Sequence, residues 1–302
     1  MVPVRPMIPT FHHEDFSVAQ LVELKAAHEQ VVSVCLPARD EAATVGPIVA
    51  MIREELVAGG LVDEVLVVDD HSTDGTAEVA AAAGARVVAV GDVLPELGPG
   101  SGKGEALYKS VAAARGDLVV WVDADITDFG TRFVIGLLGP LLTRADVSFV
   151  KGYYDRPVGD DPHGGGRVTE LMARPAIATL FPHLASLMQP LSGEYAGRRS
   201  LLEQLPFVQG YGVDLGLLID IASRHGTEVL AQVDLGTRRH RNRPLDELGP
   251  QALAVLQTAL RRAGTGHGGT ATLVRPDSEP LVVTAAERPP LVEVPGYRRR
   301  SA

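Results

Sequence analysis

Four apolar runs divide the first half of the chain, Val31–Leu36, Glu64–Val68, Arg86–Val90 and Leu118–Val122, and each is near-continuous rather than alternating. A strand with one face in water alternates apolar and polar residues; a continuous run belongs to a strand covered on both faces. Helical patterns separate the runs. Pro47 opens one, with Ile48, Ile52 and Leu56 at i, i+4 and i+8. Ser72 or Thr73 caps another, which runs through the alanines to Ala83 and stops at Gly84. Buried strands alternating with helices predict the α/β class, with a doubly wound, mostly parallel sheet.

The second half is less regular. A strand-like stretch, Asp146–Tyr154, precedes the Gly- and Pro-rich segment 159–167, which reads as a loop. Helices are expected at Val168–Phe181, Asp214–Arg224 and Leu245–Arg262, with a strand at Glu228–Val233. From Ala263 the composition turns to Gly and Thr, then Pro, and predicts an extended tail that either packs on a neighbouring subunit or is a disordered end. The sequence has no internal repeats.

Composition excludes several classes. Lys and Arg number 28 against 38 Asp and Glu, a net charge of −10, which disfavours non-specific binding to nucleic acid or anionic membranes. One cysteine, Cys35, rules out a disulfide framework or thiolate metal cluster. No apolar stretch approaches the ~20 residues of a membrane span, and the N-terminus lacks the pattern of a signal peptide. The expected location is the cytoplasm.

The run ending Val122-Asp123-Ala124-Asp125 points two hard oxygen ligands out of the carboxyl edge of the sheet, where open α/β sheets bind ligands. Such a pair suits Mg²⁺ or Mn²⁺ beside the phosphates of a nucleotide; the same tripeptide also simply begins turns or caps helices. After the first strand, Leu36-Pro37-Ala38-Arg39-Asp40-Glu41 is either a plain surface loop or one that grips a nucleobase and ribose, with Glu41 on a ribose hydroxyl. Asp69 and Asp70 end the second strand, and the Ser, Thr and Asp after them read partly as a cap. Asp70 can also accept a hydrogen bond from the imide N–H of uracil.

Gly98-Pro-Gly-Ser-Gly-Lys103-Gly104 resembles a P-loop but fails as one, because Leu97 replaces the first glycine and Gly104 the Ser or Thr. Lys103 likewise stands where a dinucleotide fingerprint needs its third glycine. A flexible loop remains that presents a lysine at a helix N-terminus, which suits a diphosphate. The basic island Arg238-Arg239-His240-Arg241-Asn242-Arg243-Pro244 is either a solvated loop or a phosphate site. In the second case His240 can complete a metal site that Asp125 and two phosphate oxygens leave open.

Taken in order, GKGEALYKS, VDADI, GGGRVTELMARP, PLSGEYAGRR, GYGVDLGLLID and RRHRNRPL resemble the GT-A class of nucleotide-sugar glycosyltransferases. More narrowly, the chain from about His12 to Pro290 resembles the retaining glucosyl-3-phosphoglycerate synthases of actinobacteria, with the mannosyl-3-phosphoglycerate synthases as close relatives. The resemblance implies a GT-A fold in three parts: an N-terminal arm (1–30), a catalytic domain (31–244) and a C-terminal helix and tail (245–302). Residues 31–125 would bind the nucleotide sugar, and the smaller, helical region 126–244 the acceptor. It also implies a cytoplasmic, Mg²⁺- or Mn²⁺-dependent hexosyltransferase, typically a homodimer, that moves glucose from UDP-glucose to the 2-hydroxyl of 3-phosphoglycerate.

The same resemblance assigns residues. Pro37, Ala38, Arg39, Glu41 and Asp70 would hold the uridine, Lys103 and Asp123 the rest of the donor, and Asp125 and His240 the metal. Tyr211, Gly212 and Asp214 would face the sugar, with Leu191 beside the reaction centre and Arg238, Asn242 and Arg243 on the phosphates. Gly166, Arg167, Thr169 and Asn242 would cradle the acceptor. The chain departs from the pattern at Arg39-Asp40-Glu41-Ala42, where relatives carry Leu-Asn-Glu-Glu, at Asp214, where they carry Glu, and at Asp70, where they carry Ser; these bear on donor selectivity. Retention is expected through a same-face reaction, Asp214 and Glu194 being the only carboxylates for double displacement. A GDP-mannose transferase keeps the same acceptor as an alternative. A sugar nucleotidyltransferase should carry a glycine-rich loop after the first strand, which LPARDE is not, and an inactive sugar-nucleotide-binding module is the non-catalytic alternative.

Overall fold

The computed structural model describes residues 7–157, 165–239, 244–266, 269–276 and 278–297. Its strands are β1 (Thr10–His12), β2 (Val32–Ala38), β3 (Glu64–Asp69), β4 (Arg86–Ala89), β5 (Leu118–Trp121), β6 (Phe149–Asp155), β7 (Tyr195–Arg198), β8 (Phe207–Val208) and β9 (Leu230–Thr237). All but β8 join one sheet in the order β1-β9-β6-β7-β5-β2-β3-β4. Only β7 runs antiparallel to its neighbours.

Successive residues of β2 and β3 enter different cores, which is why these runs are continuous. Cys35, Leu66, Val68 and Trp121 face α4 (Lys103–Ala113) and α8 (Val213–His225) on one side. Val34, Leu36, Val65 and Val67 face α2 (Ala42–Met51) and α5 (Arg132–Thr143) on the other. The chain runs from β2 to β3 and β4, then returns to β5 on the opposite side of β2. That reversal opens a crevice beyond the carboxyl ends of β2 and β5, the position where open sheets bind ligands.

Both expected helix starts move. The helix expected to open at Pro47 begins at Ala42, because the N–H groups of Glu41 and Ala42 find acceptors across the crevice in Thr76 Oγ1 (2.8 Å) and Asp74 Oδ2 (3.0 Å). The next helix, α3 (Thr76–Ala82), starts after Ser72 and Thr73 rather than at them. Ser72 Oγ instead accepts from Asp40 N–H at 3.0 Å, and Thr73 N–H donates to Asp40 Oδ1 at 2.8 Å. The loops after β2 and β3 are thus tied together, and the residues read as a cap tie them.

Described residues near both chain ends join the fold. Within the N-terminal arm, β1 pairs parallel with β9 at the sheet edge and α1 (Val18–Ala27) packs on α5. Residues 126–244 carry α6 (Arg174–Leu180), which a π-helical turn at Thr169–Ala173 precedes, and α7 (Arg199–Leu202). α9 spans Leu245–Arg262, as expected. The tail beyond it is not simply extended: β10 (Thr270–Arg275) and β11 (Ser278–Thr284) form a hairpin against α9, and β12 (Glu287–Arg288) pairs antiparallel with β8. Among the described residues no helix is long and apolar enough to cross a membrane.

Candidate active site

The crevice is a cavity of about 570 Å³, and two chemically different walls face each other across it. The first wall comes from the carboxyl ends of β2, β3 and β5: Pro37, Ala38, Arg39, Glu41, Asp70, Asp123 and Asp125 all line it. Asp70 is buried, and each of its oxygens is engaged: Oδ2 accepts from Gly102 N–H (2.7 Å) and Oδ1 lies 2.9 Å from His71 Nδ1. It therefore ties the loop after β3 to the glycine loop as well as facing the cavity.

Lys103 is the first residue of α4. Its Nζ lies 3.2 Å from Asp123 Oδ1 and 3.8 Å from Asp214 Oδ2. Burial pulls this ammonium down, but Asp123, Asp214 and Glu194 outweigh it and hold the pKa well above the usual range. Burial likewise pushes Asp123 up, and Lys103 and Arg238 reverse that and hold it well below the usual carboxylate range. Both groups are charged across the physiological range.

Arg238 follows the end of β9 and is buried. Its Nη2 donates to Asp123 Oδ2 (2.9 Å) and Asp125 Oδ1 (2.8 Å), and its Nε pairs with Glu194 Oε1 at 3.0 Å. Glu194 is wholly buried, accepts a hydrogen bond from the Tyr154 hydroxyl, and does not line the cavity. Burial raises its pKa against the pull of Arg238. Asp214, in the first turn of α8, is also buried and lies 3.7 Å from Lys151 Nζ. Lys151 donates to Ser192 O at 2.9 Å and stands 4.0 Å above the Tyr195 ring. Burial pulls its pKa down to about 8, with Asp214 opposing.

The second wall is cationic. Gly166, with φ +78°, turns the chain into a helix whose first residues, Arg167, Val168 and Thr169, line the cavity. Arg156 lines it beside them; it donates to the Tyr154 hydroxyl at 2.7 Å and its carbonyl accepts Gly165 N–H at 3.0 Å. Two guanidinium groups at a helix N-terminus favour an anion with several oxygens. Leu248, Gln251 and Val255 of α9 close the wall.

Leu191 and Tyr211 line the cavity as expected. Gly212 does not: a Cβ there would meet Thr258 Oγ1 and Val208, so this glycine lets α9 pack close instead of facing the sugar. His240, Asn242 and Arg243 lie outside the described residues. Sequence reasoning missed Arg156, Lys151, the clamp on Glu194 and the face of α9. For α9 a signal existed, since Leu248, Gln251 and Val255 recur at helical spacing.

A divalent ion fits the donor set. One cationic nitrogen already bridges Asp123 and Asp125, so the two carboxylates converge and call for positive charge. Among the described residues no three His, Cys, Asp or Glu gather into a cage. Two hard oxygens suit Mg²⁺ or Mn²⁺, which take further ligands from phosphates and water.

The family model for glycosyl transferase family 2 matches residues 33–205. The glucosyl-3-phosphoglycerate synthase of Petrotoga mobilis is 41% identical over 96% of this chain and 95% of its own length. That of Mycolicibacterium smegmatis is 47% identical over 93% and 95%. A solved structure of the Mycobacterium tuberculosis glucosyl-3-phosphoglycerate synthase, in complex with Mn²⁺, UDP-glucose and phosphoglyceric acid, superposes with a TM-score of 0.86 at 44% identity. It covers 94% of this chain and 98% of that one.

Proposed function

The chain belongs to glycosyl transferase family 2 and, within it, to the glucosyl-3-phosphoglycerate synthases, and on that premise we propose how its own residues carry the reaction. The chain is a hexosyltransferase that moves glucose from UDP-glucose to 3-phosphoglycerate, with Mg²⁺ or Mn²⁺ as cofactor. The observation that carries this reading is that one cavity is lined both by the carboxylates Asp123 and Asp125 and by the guanidinium groups of Arg156 and Arg167, together with Lys103, Leu191 and Asp214.

Pro37 to Glu41 and Asp70 would hold the uridine. Asp125, with Asp123 beside it and His240, would hold the ion, which when bound supplies Lewis-acid stabilisation of the leaving diphosphate. Lys103, Arg238 and Arg243 would add fixed positive charge there. Gly166, Arg167 and Thr169, joined by Asn242, would grip the carboxylate and phosphate of the acceptor and turn its 2-hydroxyl toward the sugar. Tyr211 and Asp214 would orient the sugar hydroxyls.

Retention then follows a same-face course. The new bond from the acceptor oxygen to C1 forms on the side from which the phosphate oxygen leaves, and that oxygen takes the hydroxyl proton. Two facts support this over double displacement: Glu194 is walled off beneath Arg238, and Asp214 is held between two lysines. Positioning does most of the work.

Nucleotide release in Mg²⁺, with UDP-glucose, GDP-glucose and GDP-mannose each offered with and without 3-phosphoglycerate, tests the assignment. Acceptor-dependent release of UDP is expected. Preference for GDP-mannose would overturn the donor and leave the acceptor wall standing; no release from any pair would overturn the reading. The proposal extends to a cytoplasmic homodimer, supported by the exposed apolar side chains of Val274, Leu281 and Val282 on the C-terminal hairpin.

A further inference from the structure

Lys103 arrives in the donor site at the end of a segment that has little reason to hold one shape. Residues 98–102 read Gly-Pro-Gly-Ser-Gly, with φ of +73° at Gly98 and +92° at Gly102. Such a loop loses much backbone entropy when ordered. The structure orders it from the far end of the chain. Arg288, 191 residues beyond Leu97, donates through Nη1 to Leu97 O (2.5 Å) and through Nη2 to Gly98 O (3.1 Å) and Pro99 O (3.3 Å). The same guanidinium grips Glu105, in the first turn of α4, at 2.7 and 2.9 Å.

Arg288 is 8% exposed and Glu105 1%, so these charge-assisted bonds are shielded from water. Gly100 packs onto the group so closely that a Cβ would lie 2.5 Å from Nη2. The segment that carries Arg288 also holds the sugar-facing loop: β12 pairs with β8, and Ala286 O accepts Gln209 N–H at 2.7 Å. Gln209 Nε2 reaches the same Glu105 at 3.0 Å.

We propose that Arg288 is a positioning residue for the donor, locking the glycine loop so that Lys103 and the Gly102 amide stand in place before the nucleotide sugar arrives. This rests on the donor reading given above. The fork of five donors matters, because one lysine ammonium cannot serve a carboxylate and three carbonyls together. Without the lock, the ordering cost of the loop falls on donor binding. The acceptor cradle at Arg156 and Gly166–Thr169 is built from other elements and keeps its affinity.

Arg288→Met and Arg288→Lys test this, through steady-state kinetics on both substrates and hydrogen exchange of amides 97–104. Both variants should raise the KM for UDP-glucose about tenfold while the KM for 3-phosphoglycerate stays within about twofold. Amides 97–104 should exchange faster, and the lysine should restore stability more than donor KM. A donor KM within about twofold of wild type overturns the proposal, whatever happens to kcat or melting temperature. Unchanged exchange also overturns it. If Arg288→Met does not fold, Arg288→Lys carries the same criteria. Exchange needs no turnover, so a wild-type protein inactive on UDP-glucose would sink the functional reading and still leave the lock to be judged.

Discussion

Asp214 lines the cavity beside Lys103, and its neighbours argue against covalent chemistry. With ammonium groups at 3.8 and 3.7 Å, its charge is already spoken for. Asp214→Asn should raise the donor KM and keep kcat within about tenfold, where loss of a true nucleophile removes roughly 10⁴-fold or more. Steady-state kinetics on the purified variant decides between them. Other residues differ in how openly the sequence declares them. Asp123, Asp125 and Lys103 stand at a strand end and a helix start, where a charged side chain has few structural duties, so their place at the cavity was legible. Lys151 and Glu194 sit inside strand-like or glycine-rich stretches, and nothing local says that one is buried beside Asp214 and the other against Arg238. Gly212 was misjudged because a motif does not say which way its missing side chain would point.

At the scale of elements, the glycine loop and α4 show how a close contact fixes a site. Gly104 lies so near the Val208 carbonyl that a Cβ would collide with backbone on one side and Val213 on the other. Glycine to alanine in an exposed helix gains up to about 1 kcal/mol. Here the sign should reverse. Gly104→Ala should cost about 1–3 kcal/mol through overpacking, seen as a lower urea midpoint at unchanged m-value. The buried strands were the most legible elements, since two-sided burial writes itself as a continuous apolar run. Helix starts were less so, because Asp40 and Ser72 satisfy groups in each other's loops, and Asp74 divides its oxygens between Ala42 in the neighbouring loop and Thr76 in its own. The C-terminal hairpin escaped notice because β10 only half-buries alternate residues and β11 is largely exposed, while Gly and Pro around them dominate the composition.

The pH dependence of stability belongs to the whole molecule, with Lys151 as its clearest single contributor. A lysine at about 8 in the folded state and near its ordinary value of 10.5 in the unfolded chain is protonated in both below pH 8. Between those values only the unfolded chain holds the proton, so stability rises with pH in that window. Asp214, Glu194, Lys103 and Tyr195 surround the group and set the size of the effect. Relative to Lys151→Met, the wild type should gain on the order of 1–3 kcal/mol from pH 7 to pH 10, read from urea melts under reducing conditions. An unchanged difference between the two proteins across that range would remove Lys151 from the balance.

The pairing of β1 with β9 has a consequence for how the protein is made. Thr10 and Gln232 stand side by side in the sheet and 222 residues apart in the chain. A ribosome adding about 5–20 residues per second leaves the first strand waiting roughly 10–40 s for the one that receives it. Throughout that interval the growing sheet has an open edge and a short loose strand. Synthesis speed therefore sets how long that edge stays open to other chains.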